Sequence, residues 1–423
     1  MSERIAIVGA GLAGCLLATL LGRRGIEVTV YERRPDPRAA GPERGRSINL
    51  AISTRGLRAL EQVGLRSAAL ERALPMHGRM VHPVAGEQSF RPYSADGTQA
   101  INSISRAELN LALLRAAEAT PGVTVRFSSR LAGLDLGTGT LTFDSGEEAK
   151  AEVVLACDGA WSVARRSVTF RPGFTFSQDY LEHGYKELTI PSADGDFALD
   201  PDALHIWPRG SSMMIALPNL DRSFTCTVFW TKEEFAALTT PEAVRARFAA
   251  AYPDAAGLMP DLAQDFARNP VGSLATIRCW PWVHHANDGH GGATLALVGD
   301  AAHAIVPFYG QGANCALEDC VEIDRCLSSA GGGGAGDDWA AALVRYAERR
   351  KPDCDAIAEM ALDNFVEMRD KVNSTAFRAV TAARHFLERR LPGRFVSEYE
   401  LVSFTTVPYA QIRRRRHRWR KLS

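Results

Sequence analysis

Three glycines, Gly9, Gly11 and Gly14, follow directly on the apolar run Ile5-Ala-Ile-Val8. This is the spacing with which a strand-to-helix turn accepts the diphosphate of a dinucleotide. Gly9 permits the tight turn, Gly11 lets backbone approach a pyrophosphate, and Gly14 lets the following helix pack against the strand. The helix expected over Cys15–Gly22 would aim its free N–H groups and positive dipole end at the phosphates, with Leu12, Ala13 and Gly14 also on the cofactor. A second apolar strand, Ile26–Tyr31, ends at Glu32, with Arg33 beside it. A carboxylate there suits a ribose 2′-hydroxyl and repels a 2′-phosphate, which favours FAD or NAD over NADP for this unit. A glycine turn in an ordinary α/β protein is the plainer alternative.

The elements that must position such a turn follow from length and pattern. At 423 residues the chain is expected to form two to three domains. Its 49 basic and 49 acidic residues cancel, so no net charge draws it to nucleic acid or to an anionic membrane. Eight cysteines, at 15, 157, 226, 279, 315, 320, 326 and 354, show neither a CxxC pair nor Cys/His ligand spacing. They read as reduced thiols of a cytoplasmic protein, with no metal site and no disulfide. The N-terminus passes straight into the first strand without a signal core, and no run of about 18 apolar residues predicts a membrane span. The block Arg413–Lys421 reads as a solvated basic tail, or as a contact for an acidic surface.

An opening βαβ unit is expected over 4–32, an extended segment over Arg46–Ser53, and a helix over Thr54–Val63. Strands and turns follow over 75–100, a helix over Arg106–Ala119, and buried strands over Val153–Gly159 and Ala293–Asp300, each ending in an acid and a glycine. The stretch 175–284 reads as β-rich, one antiparallel sheet. Beyond the Gly331–Gly336 connector, helical periodicity marks Trp339–Arg350, Asp353–Lys371 and Ser374–Arg390. The fold class is therefore α/β. A discontinuous Rossmann-like domain takes 1–74, 101–174 and 285–330, an antiparallel sheet takes 75–100 and 175–284, and a helical region takes 331–423.

Two further acid-and-glycine turns stand after buried strands, at Asp158-Gly159 and at Gly299-Asp300. With Gly9–Gly14 and Glu32 they resemble the three fingerprints of the single-component flavoprotein aromatic hydroxylases. Within that family, Gly45–Ser53, Ser103–Asn110, His205–Arg209, Ser223–Thr227 and Gly299–Phe308 are similar to the kynurenine 3-monooxygenases. The resemblance spans most of the chain. It implies a bound FAD, with NADPH and O₂ as co-substrates. The implied reaction is L-kynurenine to 3-hydroxy-L-kynurenine through a flavin C4a-hydroperoxide, with no protein acid or base required. With a single GxGxxG, NADPH would visit rather than occupy a domain of its own. The expected partner is thus a small molecule, and a homodimer is compatible with the reading.

Asp300, at a strand's C-terminal end, could accept a ribitol hydroxyl or cap the next helix. Near the helix start at Gly312, the amides of Gly312, Ala313 and Asn314 could stabilise negative charge at the flavin's N1 and C2=O. Ala313 stands where the family commonly has methionine. Arg106 is expected near the flavin diphosphate, with Ala51 and Leu131 also on the cofactor. Asp158 either holds the cofactor or caps the 160–166 helix, and His303 reads as structural. For the substrate carboxylate the resemblance implies Arg79 and Tyr93, on the two halves of one hairpin. Asn364 and Glu367, three apart on a helix, and Tyr399 would serve its polar end, and Met214, Ile215 and Phe229 would wall the ring. The alternatives are a flavin hydroxylase of a substituted kynurenine or another arylamine and a non-catalytic flavin-binding protein; a flavin halogenase is disfavoured by the absence of a Trp-x-Trp-x-Ile-Pro segment.

Overall fold

The computed structural model describes residues 4–40, 49–94, 96–286, 292–329, 339–366 and 396–420. Its first layer is a six-stranded sheet in the order Val283–His285, Thr294–Leu297, Val153–Ala156, Ile5–Val8, Val28–Tyr31, Val123–Arg126. All neighbours run parallel except Val283–His285, which lies antiparallel at one edge. The strands at 5–8 and 153–156 are buried at every position, as expected of a sheet covered on both faces. The helices Leu12–Arg23, Arg106–Glu118 and Gly312–Ser328 pack together over it. Because strands 5–8, 153–156 and 294–297 are parallel neighbours, the three acid-and-glycine turns all emerge at the same end of the sheet, beyond the strands' C-termini.

The second sheet has seven strands, in the order Gly272–Trp280, Thr175–Ile190, Phe224–Thr231, Met213–Pro218, Ala203–Pro208, Gly78–Val81, Ser89–Pro92. One seam departs from the antiparallel expectation, since Gly78–Val81 pairs parallel to Ala203–Pro208. Both sheets meet at a small one, Asn49–Ile52, Ile101–Ser105 and Ala73–Met76. There Asn49 Nδ2 and Ser103 Oγ both donate to the Pro218 carbonyl, at 3.2 and 2.9 Å.

The β-rich reading of 175–284 missed four helices, Lys232–Ala237, Pro241–Ala251, Pro253–Ala256 and Leu262–Arg268. Their start signals are local: Thr231 and Glu234 form a capping box, and Thr240 caps a helix that opens on Pro241. They cover one sheet face, burying Trp207, Trp230, Phe248, Tyr252 and Phe266. The two helices expected on either side of residue 351 are one, Trp339–Val366, running through Pro352. A helix-interior proline costs about 3 kcal/mol; burial of Tyr346, Arg350, Cys354 and Ile357 along the same face offsets it. The expected 374–390 helix lies outside the described residues. The basic block forms the end of the helix Tyr409–Arg420, anchored by buried Tyr409 and Ile412 and by an Arg413–Glu359 ion pair. Among the described residues no helix is long and apolar enough to cross a membrane.

Beneath the helical cover, His82 Nδ1 meets Asp254 Oδ2 at 2.7 Å, and Trp207 Nε1 donates to the same carboxylate at 2.9 Å. Burial alone would raise the Asp254 carboxyl, but these bonds outweigh it and hold it below the ordinary carboxylate range. A depressed folded-state value contributes stability above the unfolded value and loses it as pH falls. Asp254→Asn should therefore lower Tm by a few degrees at neutral pH, with the gap closing as pH drops below about 4. Thermal melts of both proteins across that range test this, and a gap independent of pH would refute it.

Candidate active site

The first turn is shaped by steric contact on both sides. Gly9 has φ +99°, and a Cβ on it would lie 2.5 Å from the Cys157 carbonyl oxygen, so the first and second turns touch. A Cβ on Gly14 would lie 1.9 Å from the Gly9 oxygen. Gly11 differs: a Cβ there would meet nothing within 4 Å. Protein packing does not require that glycine, whereas a diphosphate seated against backbone would. The helix Leu12–Arg23 starts without a side-chain cap or an acid in its first turn, leaving the amides at Leu12, Ala13 and Gly14 free for an anion.

Glu32 is buried, with Oε2 accepting the Ala10 N–H at 2.8 Å and Oε1 accepting Arg34 Nε at 2.9 Å. Burial pushes its carboxyl up, and Arg34 outweighs this to hold it below the ordinary range. The acid thus stays ionised beside the glycine turn, while Arg33 is exposed. Arg106 is exposed at the first position of Arg106–Glu118. One turn further, Asn110 Nδ2 donates to the Ala10 carbonyl at 3.2 Å, which fixes this helix against the glycine turn. Leu131 is buried in the strand Leu131–Asp135, so only its backbone is available to a ligand.

Asp158 Oδ2 accepts the N–H groups of Val163 and Ala164, at 2.8 and 3.2 Å, and so caps the helix Val163–Arg166. Oδ1 of the same carboxylate is buried without a hydrogen-bond partner, and burial raises the Asp158 carboxyl. The cap thus uses one oxygen of this carboxylate and leaves the other as an acceptor. Arg165 ties the second turn to the third, donating to the carbonyls of Ala160 and Ala301 at 2.6 and 2.7 Å.

At the third turn, Gly299 has φ +61° and Asp300 opens the short helix Asp300–His303. Its half-buried carboxylate has no hydrogen-bond or ionic partner among the described residues. Gly310, left-handed at φ +66°, turns the chain into the helix Gly312–Ser328, which starts without a side-chain cap. Its first amides, at Gly312, Ala313 and Asn314, are thus free. The Asn314 side chain is not: Oδ1 accepts from the Ser53 and Gly56 amides, and Nδ2 donates to the Ala51 and Gly310 carbonyls. Only Asn314's backbone can serve a ligand.

Asp319 joins these parts. Fully buried, it accepts the Gly299 N–H at 3.0 Å and His303 Nε2 at 2.5 Å on one oxygen, and Arg350 Nε at 2.7 Å on the other. Burial would depress the His303 imidazole, but the Asp319 charge outweighs this and pushes it up to about 9.

On the larger sheet, Arg79 lies under two aromatic rings, its guanidinium carbon 4.4 Å from the Tyr399 ring centre and 5.7 Å from that of Tyr93. The two tyrosines stack at 4.7 Å. Arg79 Nε and Tyr93 Oη are buried and lack hydrogen-bond partners. Burial pushes the Tyr93 phenol well above its ordinary value, so it presents an O–H. Ile215 packs with this group, as do Ala51 and Leu217. Phe229 approaches through Phe308, at 5.0 Å, which in turn stacks on Phe365 at 4.1 Å. Asn364 Nδ2 donates to the Phe308 carbonyl at 2.6 Å.

Met214 is a correction. Strand alternation puts it on the opposite sheet face from Ile215, in the core with Trp207 and Trp230, and the methionine on the Phe229 face is Met213. Glu367 lies outside the described residues. The sequence reading overlooked Phe308, Tyr309 and Phe365, although Phe308 and Tyr309 directly precede the Gly310 turn. It also overlooked Arg165 and Asp319, whose partners are far away in the chain.

A model of FAD-binding domains matches residues 3–361. The kynurenine 3-monooxygenase of Myxococcus xanthus is 49% identical over 416 residues, covering 96% of this chain and 87% of that protein. The enzyme of that name from Dictyostelium discoideum is 44% identical, covering 97% of this chain and 90% of its own. The chain belongs to the kynurenine 3-monooxygenase family. Among solved structures, the tetrameric form of 2-methyl-3-hydroxypyridine-5-carboxylic acid oxygenase superposes with a TM-score of 0.70 at 21% identity, covering 95% of both chains. Tetracycline destructase Tet(51) does so with a TM-score of 0.65 at 16% identity, covering 96% of this chain and 99% of its own. These two likenesses establish the shared fold alone.

Two outcomes follow for the family's cofactor site. Gly14→Ala drives a Cβ into backbone and should abolish the folded protein, whereas Gly11→Ala should leave the Tm of the FAD-free protein unchanged while weakening FAD binding about tenfold or more. Equal loss of Tm in both variants, read by melts and flavin titration, would contradict the assignment of Gly11. The His303–Asp319 pair sets a pH window. The raised His303 value contributes stability below its unfolded value, near 6.5, and loses it as pH rises through about 9. The depressed Asp319 value loses its share as pH falls. His303→Asn should remove the alkaline limb of the Tm-versus-pH curve, and an unchanged midpoint near 9 would disprove this role.

Proposed function

We propose that the protein is an NADPH- and FAD-dependent monooxygenase that hydroxylates L-kynurenine at ring position 3, consuming NADPH and O₂ and releasing NADP⁺ and water. The observation that carries the substrate reading is the unpaired Arg79. A guanidinium whose Nε is buried beside a buried, unpartnered Tyr93 hydroxyl is costly without an anion, and a substrate carboxylate satisfies both.

FAD, when bound, supplies hydride acceptance from NADPH and activation of O₂ for transfer to the ring carbon ortho to the amine. The chain's residues hold and orient. Gly11 and the amides at Leu12–Gly14 would seat the diphosphate, with Glu32 on the adenosine ribose and Arg33 and Arg106 at the rim. Asp300 would take a ribitol hydroxyl, and the Gly312–Asn314 amides would stabilise negative charge on the flavin's pyrimidine edge. Ala51, Leu131 and Asp158 Oδ1 would line the same cofactor. Arg79, Tyr93 and Tyr399 would fix the amino-acid end, leaving Ile215, Phe229 and Phe308 to exclude water around the ring, with Asn364 and Glu367 at the polar end. The amine already makes the ortho carbon nucleophilic, so no residue need act as base. We take 1–74, 101–174 and 285–330 as the cofactor domain, 75–100 and 175–284 as the substrate sheet, and 331–423 as the helical region.

Incubation with L-kynurenine, NADPH and air, followed by mass analysis, should give the singly hydroxylated product. Its absence, together with no kynurenine-stimulated NADPH oxidation, refutes the substrate reading and directs the search to other arylamines. Arg79→Ala should raise KM for kynurenine by about 10–100-fold, the equivalent of losing a charge-assisted contact of ~1.5–3 kcal/mol, with flavin retained. Loss of flavin along with activity would instead give Arg79 a structural role.

A further inference from the structure

The eight cysteines, scattered in sequence, are not all scattered in space. Cys315, on the first turn of Gly312–Ser328, and Cys354, on Trp339–Val366, bring their sulfurs to 3.5 Å, both fully buried. Arg350 Nη2 donates to Cys315 Sγ at 3.2 Å, and His303 and Asp319 complete the cluster. Cys315 is therefore the sulfur with a cation aimed at it and a second thiol in contact. Cys354, whose other neighbour is the Asp319 carboxylate at 4.0 Å, is the protonated partner. An electropositive setting of this kind generates a reactive thiolate, and the cluster holds the Cys315 thiol below its ordinary value, the hydrogen bond from Cys354 contributing most. A second thiol within van der Waals contact is what resolves an oxidised one.

The same four side chains suit a metal poorly. His303 Nε2 and Asp319 Oδ2 are 2.5 Å apart, too close for both to ligate one tetrahedral ion at about 2.0 Å. The Arg350 guanidinium already occupies the side from which a cation would be held.

We propose that Cys315 and Cys354 form a dithiol that hydrogen peroxide oxidises to a disulfide, a modification site directly behind the flavin-facing helix start. The Cys315 thiolate attacks one oxygen of the peroxide and the O–O bond breaks. The departing hydroxide takes a proton and leaves as water, and Cys315 becomes a sulfenic acid. The Cys354 sulfur then attacks that sulfur, the S–O bond breaks, and the second hydroxide leaves as water with the Cys354 proton. Two thiols thus yield two electrons to reduce one peroxide to two waters. The small, uncharged oxidant suits a site closed to larger reagents. Closing the sulfurs from 3.5 Å to about 2.05 Å draws the first turn of Gly312–Ser328 toward Trp339–Val366 and removes the thiolate from Arg350. The proposal rests on the monooxygenase reading only for an internal source of peroxide.

The test supplies peroxide from outside, so its failure is distinct from failure of that reading. Flavin-loaded protein is treated with hydrogen peroxide at neutral pH, denatured in alkylating reagent and weighed. The expected product is about 2 Da lighter before alkylation and has two of its eight thiols blocked. Digestion should yield one cross-linked peptide pair containing Cys315 and Cys354, restored to free thiols by dithiothreitol. Cys354→Ser should convert the cross-link into a sulfenic acid at Cys315 trapped by dimedone, whereas Cys157→Ser, at the partly exposed thiol, should leave the cross-link intact. Oxidation confined to Cys157, over-oxidation of Cys315 in the unsubstituted protein, or a wild-type digest without the cross-link overturns the proposal. That digest decides even if a variant does not fold.

Discussion

The site depends on one buried charge. Asp319 sits with no solvent contact between a turn amide and an imidazole from the Gly299–His303 turn and a guanidinium from the helix Trp339–Val366. An isolated carboxylate in such a place would be neutral or unfolded; three donors keep it ionised. Removing one partner of a buried ionic group typically costs about 3–5 kcal/mol, because the rest is left uncompensated. The separation between Asp300 and the Gly312–Asn314 amides therefore does not rest on a flexible loop. It is set by a carboxylate on the helix that carries those amides, bonded to the turn that carries Asp300. Arg350 extends the same network to Glu318 at 2.7 Å and so locks the helix Trp339–Val366 against the cofactor layer.

A second constraint links the two sheets. The substrate-side arginine belongs to a strand that joins the larger sheet through a parallel seam, with Arg79 opposite Leu204. Alternation along that sheet then separates two environments. One face carries Arg79, Ile215 and Phe229, and the other carries Trp207, Met214 and Trp230 under the helical cover. The small sheet, with Asn49 and Ser103 both bonded to Pro218, holds the pocket in fixed relation to the cofactor layer. The Asn314 side chain secures the opposite end by gripping Ala51 and Ser53. Polar residues that look like ligand contacts in the sequence are here the clamps that keep the ligand surfaces apart by a set distance.

What could be read from the chain was whatever is local. The glycine spacing at 9–14, the acid closing the second strand, the two later acid-and-glycine turns and the Arg79–Tyr93 hairpin are each encoded within about thirty residues. Strand, turn and helix start there follow from neighbouring residues alone. The helices of 232–268 were legible too, through Thr231–Glu234 and Thr240-Pro241, but aromatic and β-branched residues beside them suggested strands. That Phe248 and Phe266 on those helices pack against the sheet is a tertiary fact that the local pattern does not carry.

The sequence by itself determined that a strand runs into a glycine turn of dinucleotide-binding spacing and that Arg79 and Tyr93 stand on the two halves of one hairpin. These are properties of short segments whose backbone geometry admits few alternatives. Only the tertiary structure decided that Met213 rather than Met214 shares a face with Phe229, because register reverses every side chain with a shift of one residue. It alone joined Asp319 to Gly299, His303 and Arg350, and Cys315 to Cys354, since contacts between residues 16 to 39 positions apart depend on how whole helices pack.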